Sequence, residues 1–365
     1  KMVELMDGFE SKTVHYEVNN YGAEVPHGFT VFNGSRYHAT ADTRSWDATV
    51  KFMKGIFAGS FSPTSTATSS WNQMVSYMIG DKNFTGYMAY DTDKCSESMP
   101  CPAVAIIPDW TGMDTYEKTR ADIIASMGYV AFAMDIYGDA ITGSWPETPG
   151  FDQWSSASGM HLQDASLYMA NIHGGISLMA GQSVVDSSKM AVIGYCFGGV
   201  GAINVALAGH GGTYNFPTGV LGAISYHAAS NGIIPVETAT SYPAMTIHNG
   251  YADGNGINAA LMDSLSQTME DKMMTFQTVQ HGAGTGHGFT VFGGGAYDSR
   301  VDYMSWSNSA FMMQEILGMP PYMMPPTTMT TTVTGSNTTE PTSAATALGV
   351  AASAVLASFT AMLSL

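Results

Sequence analysis

Cys196 stands in "GYCFGG", where an apolar run meets a stretch of small residues with helical character. Glycines lie two places before it and two and three places after it. This is the pattern of a strand that turns sharply into a helix with a nucleophile at the bend, and Cys occupies the place more often held by Ser. Such a bend lifts the side chain above a sheet and near a helix N-terminus, where the dipole favours a thiolate. The bland alternative is a small buried cysteine ahead of a glycine-rich helix start.

Two downstream residues could serve that thiol. Asp253 lies in "NGYADGNG", after the apolar run "PAMTIH", and His287 lies in "GAGTGHGF", after "MMTFQTVQH". The order nucleophile, acid, histidine is the one this kind of site requires. His287 would take the thiol proton and later activate water, and Asp253 would fix its tautomer. Singly, a loop Asp is a turn former and a loop His a surface residue. A further carboxylate, Asp109 in "AIIPDWTGMD", ends another apolar run. The loop after that strand commonly supplies an oxyanion donor, so the backbone N–H groups of Trp110 and Phe197 are expected to form the oxyanion hole. His227 in "SYHAAS" also ends an apolar run, and a structural or solvent-facing role is expected for it rather than a place in the pocket.

The elements around these residues alternate. "PAVAIIPD", "YVAFAMDIYG", "KMAVIGY", "GVLGAISYHA", "PAMTIHNG" and "MMTFQTVQH" read as strands. "YEKTRADIIASMG", "HLQDASLYMANIHGGISLM", "VGAINVALAG", "INAALMDSLSQTM" and "VDYMSWSNSAFMMQEIL" read as helices. Near-continuous apolar strands between helices predict an α/β fold, with a mostly parallel central sheet covered by helices on both faces. The carboxyl ends of its strands would then gather Cys196, Asp253, His287 and Asp109 on one rim.

Four segments resemble the dienelactone hydrolase family of α/β-hydrolases: "PDWTGMDTYEKTRADIIASMGYVAFAMDIYG", "GYCFGG", "NGYADGNG" and "HGFTVF". The resemblance covers about Phe84 to Leu317. It implies a Cys196–Asp253–His287 triad and places at Asp109 a carboxylate, usually Glu, that in the family swings between the cysteine and other partners and controls its ionisation. Asp109 is one methylene shorter than that Glu. An arginine that holds the substrate carboxylate in the classical enzyme, four residues past the histidine, is replaced by Val291. A neutral ester or lactone is therefore the expected substrate. Neither a metal nor an organic cofactor is expected.

The chain carries a formal net charge of -17 and few charged residues, which argues against nucleic acid or anionic membrane surfaces as partners. "HGFTVFNGSRYHATADTRSW" (27–46) matches "HGFTVFGGGAYDSRVDYMSW" (287–306) at 11 of 20 positions, and the match continues into its flanks without a gap. Residues 1–57 are accordingly expected to be the C-terminal remnant of an upstream copy, with 58–70 a Ser/Thr-rich linker and 71–319 the complete domain. The helix in "DATVKFMKGIF" has no sheet of its own to cover, so poor packing of this segment is expected.

The Pro/Thr-rich residues 320–343 read as a disordered, stalk-like stretch, and 344–365 as an uncharged hydrophobic anchor. Small residues, a polar spacer and that tail suggest a GPI signal more than a single-pass span. Sequons at Asn33, Asn83 and Asn337 fit a cell-surface, membrane-anchored protein. Cys95 and Cys101 could be reduced thiols or a small disulfide, and an extracellular location favours the disulfide. The leading expectation is a cysteine-dependent ester or lactone hydrolase. The rival is a catalytically silent cell-surface binding or adhesion protein that retains the fold.

Overall fold

The computed structural model describes residues 2–12, 14–22, 25–32, 34–57, 69–138 and 150–318. Asn33, Asn337, most of the 58–70 linker, the 320–343 stretch and the 344–365 tail lie outside the described residues. Among those described, no helix is long and apolar enough to cross a membrane.

Among the described residues, nine strands form one sheet: β1 (Glu17–Tyr21), β2 (Trp71–Ile79), β3 (Lys82–Tyr90), β4 (Cys101–Ile107), β5 (Val130–Ala133), β6 (Val185–Tyr195), β7 (Val220–Tyr226), β8 (Ala244–Gly250) and β9 (Phe276–His281). Their order is β1-β9-β8-β7-β6-β4-β5-β3-β2. The stretch from β5 to β9 is parallel throughout, while β1, β2 and β3 pair antiparallel with their neighbours. Eight helices among the described residues accompany the sheet: α1 (Met2–Glu10), α2 (Ala39–Phe57), α3 (Thr115–Ser126), α4 (Phe151–Gln163), α5 (Ala165–Ala180), α6 (Phe197–Ala208), α7 (Ala259–Asp271) and α8 (Ser299–Leu317).

Strand periodicity divides the core in two. Along β4, Ala103, Ala105 and Ile107 face one layer with Tyr168 and Ile172 of α5 and Val200 of α6. Val104 and Ile106 face the other, with Ile123 and Ile124 of α3 and Met313 of α8. All seven β4 residues are buried, which is why its sequence is apolar without alternation.

Three features differ from the sequence reading. The run "HLQDASLYMANIHGGISLM" is not one helix: Asp164 ends α4 and caps α5 by accepting from Leu167 N. The hairpin β2–β3, turning at Gly80–Asp81, was not anticipated, although a Gly-Asp pair between β-rich runs is a hairpin signal.

The third difference is a correction. The described part of residues 1–57 is not poorly packed. β1 extends the sheet beside β9, in register from Glu17↔His281 to Tyr21↔Gln277. α2 lies against α8, where Arg44 Nε meets Glu315 Oε2 at 2.9 Å and Lys51 Nζ donates to Ser307 O at 2.6 Å. The face expected to lack a partner is covered by the main domain's last helix. α1 touches two loops of that domain, with Tyr251 Oη donating to Asp7 at 2.5 Å and Gly284 N donating to Glu10 at 2.9 Å.

Candidate active site

The elbow is built by close approach. Cys196 sits between β6 and α6 with φ 53° and ψ -113°, a conformation that L-residues seldom adopt. A Cβ at Gly194 would collide with the carbonyl of Gly198, and one at Gly198 would collide with the carbonyls of Ile107 and Pro108. The chain crosses itself too tightly for any side chain at these two positions. The Cys196 amide donates to Tyr226 O at 3.0 Å, which ties the bend to β7. The thiol is part-exposed and free of any disulfide.

The loops after β8 and β9 bring the partners. His287 Nε2 lies 3.0 Å from Cys196 Sγ. His287 Nδ1 lies 2.8 Å from Asp253 Oδ2. The other carboxylate oxygen of Asp253 accepts from Asn255 N at 3.0 Å, so its own loop orients it. Burial alone would lower the His287 imidazole, but hydrogen bonds to Asp253 and Cys196 and the charges of both outweigh it and push it up to about 10.

Asp109 is at the end of β4 as expected, but its carboxylate does not join this relay. Oδ1 accepts from the backbone N–H and the hydroxyl of Thr111 at 2.7 and 2.6 Å. Burial raises its pKa, and the Thr111 hydrogen bonds oppose that. Beneath the loop lies Glu117, which sequence reasoning missed. Its fully buried carboxyl accepts from the amides of Asp109 (3.3 Å) and Asp114 (3.0 Å) and closes a capping box at the start of α3. Asp114 and Glu117, three residues apart ahead of a helix, carried that signal. Burial, then the charges of Asp109 and Asp114, raise Glu117 well above the usual carboxylate range.

The two proposed backbone donors lie on the loop after β4 and at the start of α6. Phe197 is the first residue of α6, whose opening N–H groups have no partner within the helix. Trp110 follows Asp109, and its carbonyl accepts from Tyr137 Oη at 2.9 Å, which fixes the loop. Tyr168 Oη binds Phe197 O at 2.8 Å, and its ring stacks on the Phe197 ring 4.4 Å away. The Trp110 indole packs edge-on against Phe151 and Trp154 of α4, with centroids 5.2 and 5.9 Å apart.

His227 is fully buried rather than solvent-facing. Its ring stands edge-on to His287, 5.3 Å away, and Nε2 lies 2.7 Å from Thr290 Oγ1. Burial first, then the His287 charge, lowers its pKa well below the usual value. It therefore stays neutral behind a cationic His287. Thr290 in turn meets Tyr116 Oη at 2.8 Å, and its carbonyl accepts from Arg120 at 2.9 Å. Arg120 is buried, pairs with Asp302 at 2.5 Å and lies over the rings of Phe292 and Trp306. Val291 packs among apolar neighbours of the same layer.

Away from the site, Cys95 and Cys101 form a disulfide with a Cα–Cα distance of 5.4 Å. Asn83 is exposed at the start of β3.

The profile of the dienelactone hydrolase family matches residues 84–317. A probable 2-oxo-3-(5-oxofuran-2-ylidene)propanoate lactonase from Bradyrhizobium sp is 20% identical over 216 residues, covering 58% of this chain and 83% of that protein. Among solved structures, a dienelactone hydrolase-like promiscuous phosphotriesterase from metagenomic libraries superposes with a TM-score of 0.57 at 22% identity, covering 68% of this chain and 100% of that one. A putative dienelactone hydrolase from Klebsiella pneumoniae gives 0.51 at 14% identity, covering 69% and 100%. At these identities the structural likeness establishes the α/β-hydrolase fold, and the profile match over most of the chain establishes the family. The chain belongs to the dienelactone hydrolase family and is a carboxylic ester or lactone hydrolase.

Proposed function

We propose that Cys196, His287 and Asp253 act as a catalytic triad that cleaves neutral carboxylic esters or lactones through a thioester acyl-enzyme. The observation that carries this reading is the Sγ–imidazole–carboxylate relay of 3.0 and 2.8 Å, set on a strained elbow. In the resting site, His287 Nε2 lies 3.0 Å from Sγ and takes the proton that Sγ gives up on becoming the nucleophile. Sγ attacks the carbonyl carbon. The developing oxyanion is held by the N–H groups of Trp110 and Phe197. The C–O bond breaks as His287 gives its proton to the leaving oxygen. Neutral His287 then takes a proton from water, and the hydroxyl attacks the thioester. The C–S bond breaks, the acid leaves with the hydroxyl, and the proton taken from water stays between His287 and the freed sulfur.

Substrate charge follows from what surrounds the site. Val291 offers no cation, and Arg120 is committed to Asp302 beneath the surface. On the loop after β4, which carries one of the proposed oxyanion donors, the Trp110 indole packs with the rings of Phe151 and Trp154 and adds apolar rather than cationic surface. A test compares a neutral ester with an analogue of the same size bearing a carboxylate. The expected result is a higher kcat/KM for the neutral compound, abolished by prior alkylation with iodoacetamide. A preference for the anionic analogue would defeat the substrate assignment, and alkylated enzyme with undiminished turnover would defeat the triad.

A further inference from the structure

The N-terminal segment and the end of the main domain are the same piece of structure. At a constant offset of 260 residues, α1 falls within the span of α7, β1 within that of β9, and α2 on α8 end to end. The turns between strand and helix repeat their hydrogen bonds. Val31 N to Gly28 O is matched by Val291 N to Gly288 O, and Tyr37 N to Gly34 O by Tyr297 N to Gly294 O. His38 N to Phe29 O is matched by Asp298 N to Phe289 O.

The two pieces are also docked on each other by a two-fold relation. In the β1–β9 ladder, Asn19 lies opposite Val279, its own equivalent at that offset. Flanking bonds are mirror partners: Gly22 N donates to Phe276 O, and Gly282 N donates to Tyr16 O. Gly22 and Gly282 are equivalent, as are Tyr16 and Phe276. Each glycine lies under the other's aromatic partner, so that a Cβ on Gly22 would strike the Phe276 ring and one on Gly282 the Tyr16 ring. Between the helices, Lys51 Nζ lies 5.6 Å from the ring centroid of Phe311, again its own equivalent. Strands and helices thus give the same axis independently, perpendicular to the sheet. A surface that meets its own copy across a two-fold axis is isologous and self-complementary.

We propose that the outer edge of β9 together with the side of α8 that α2 covers is a docking surface for a second hydrolase domain of this same fold, and that residues 2–57 are the terminal helix–strand–loop–helix module of such a domain, seated on it. In the pair, one sheet runs through both domains. Its strands reverse direction at the β1–β9 seam, so the two active-site rims open at opposite edges. Each domain keeps its own elbow, acid and histidine, and the interface completes neither site. The filled seam also covers an edge strand that would otherwise invite uncontrolled pairing.

The test uses the full chain. Arg44→Glu with Lys51→Glu sets carboxylates against Glu315 and Ser307 O and detaches α2, while the strands of the domain's own sheet are untouched. A second variant adds Val18→Pro and Asn20→Pro to these two, which removes ladder donors from β1 and frees the β9 edge and the α8 face together. Freeing the surface should double the mass found by sedimentation equilibrium, whereas the wild-type chain, its edge filled, stays monomeric. In a Cys196→Ser background of the second variant, Val279→Cys should form a disulfide-linked dimer on mild oxidation, because the axis places Val279 opposite its copy. The same cysteine with β1 and α2 intact should not. Folded variants that remain monomeric and unlinked would overturn the proposal. Loss of the domain's fold in both variants would overturn it too, since residues 2–57 would then be an integral part of one core.

Discussion

The modules at the two ends of the sequence have one backbone and two chemistries. His27 and His287 occupy the same turn, in the same "HGFTVF". His287 is half-buried, linked to Cys196 and Asp253 and backed by His227. His27 is exposed and has no side-chain partner among the described residues. A local sequence is enough to build the histidine loop. It is not enough to build a site, because the thiol and the acid arrive from strands 91 and 34 residues away in the chain. What makes a histidine catalytic is supplied by the sheet that brings those strands together.

The sharpest way to break that comparison is to truncate both histidines. His287→Ala should lower kcat/KM by about 10³-fold, the order expected for loss of the general base. His27→Ala should leave it unchanged. Comparable losses in both would mean that the N-terminal loop takes part in the chemistry.

Much of the site can be read from the sequence because its signals are local. The glycines of "GYCFGG" declare the close crossing later seen between Gly194 and Gly198. Asp253 and His287 follow strands whose apolar runs are unmistakable. Asp109 lies on the loop expected of it, but nothing in "PDWTGM" announces that its Oδ1 accepts from both the amide and the hydroxyl of Thr111. His227 takes the structural of the two roles expected for it, although in sequence a strand-end histidine looks the same whether it faces water or, as here, a Thr290 hydroxyl. Docking of residues 2–57 was missed for a related reason. The repeat was evident, but pairing between copies depends on an edge strand being free, which is a property of the whole sheet.

The seam between the modules offers a second contrast. Glu17 and His281 face each other across it, with the carboxylate oxygen 3.6 Å from the ring nitrogen. Burial pushes Glu17 up to about 7, against opposing help from Asn19 and Lys51, and burial lowers His281 to about 3. Neither group gains from its charged form. A carboxyl whose folded pKa is raised stabilises fully below its unfolded value and loses that contribution as pH rises through about 7. Glu17→Gln should therefore raise the Tm by about 2–4 °C at pH 8 and leave it almost unchanged at pH 4. A gain at pH 4 as large as at pH 8 would show that the carboxylate's charge is not what the seam resists.

The smallest effect is expected at the loop after β4. Asp109→Asn preserves an acceptor for the Thr111 amide and should alter kcat by only a few-fold, with the pH profile of Cys196 alkylation unchanged. A displaced profile would restore to Asp109 the control over the thiol that the family resemblance implies, and would require its side chain to leave Thr111.

The central claim is that the acyl group passes through Cys196 sulfur. Rapid acid quenching of the enzyme during turnover of p-nitrophenyl acetate, followed by intact mass and peptide mapping, tests it directly. The account predicts one acetyl group, carried on the peptide containing Cys196, cleaved by neutral hydroxylamine and absent from Cys196→Ala. An acetyl group mapped to another residue, or full turnover by Cys196→Ala, would contradict it.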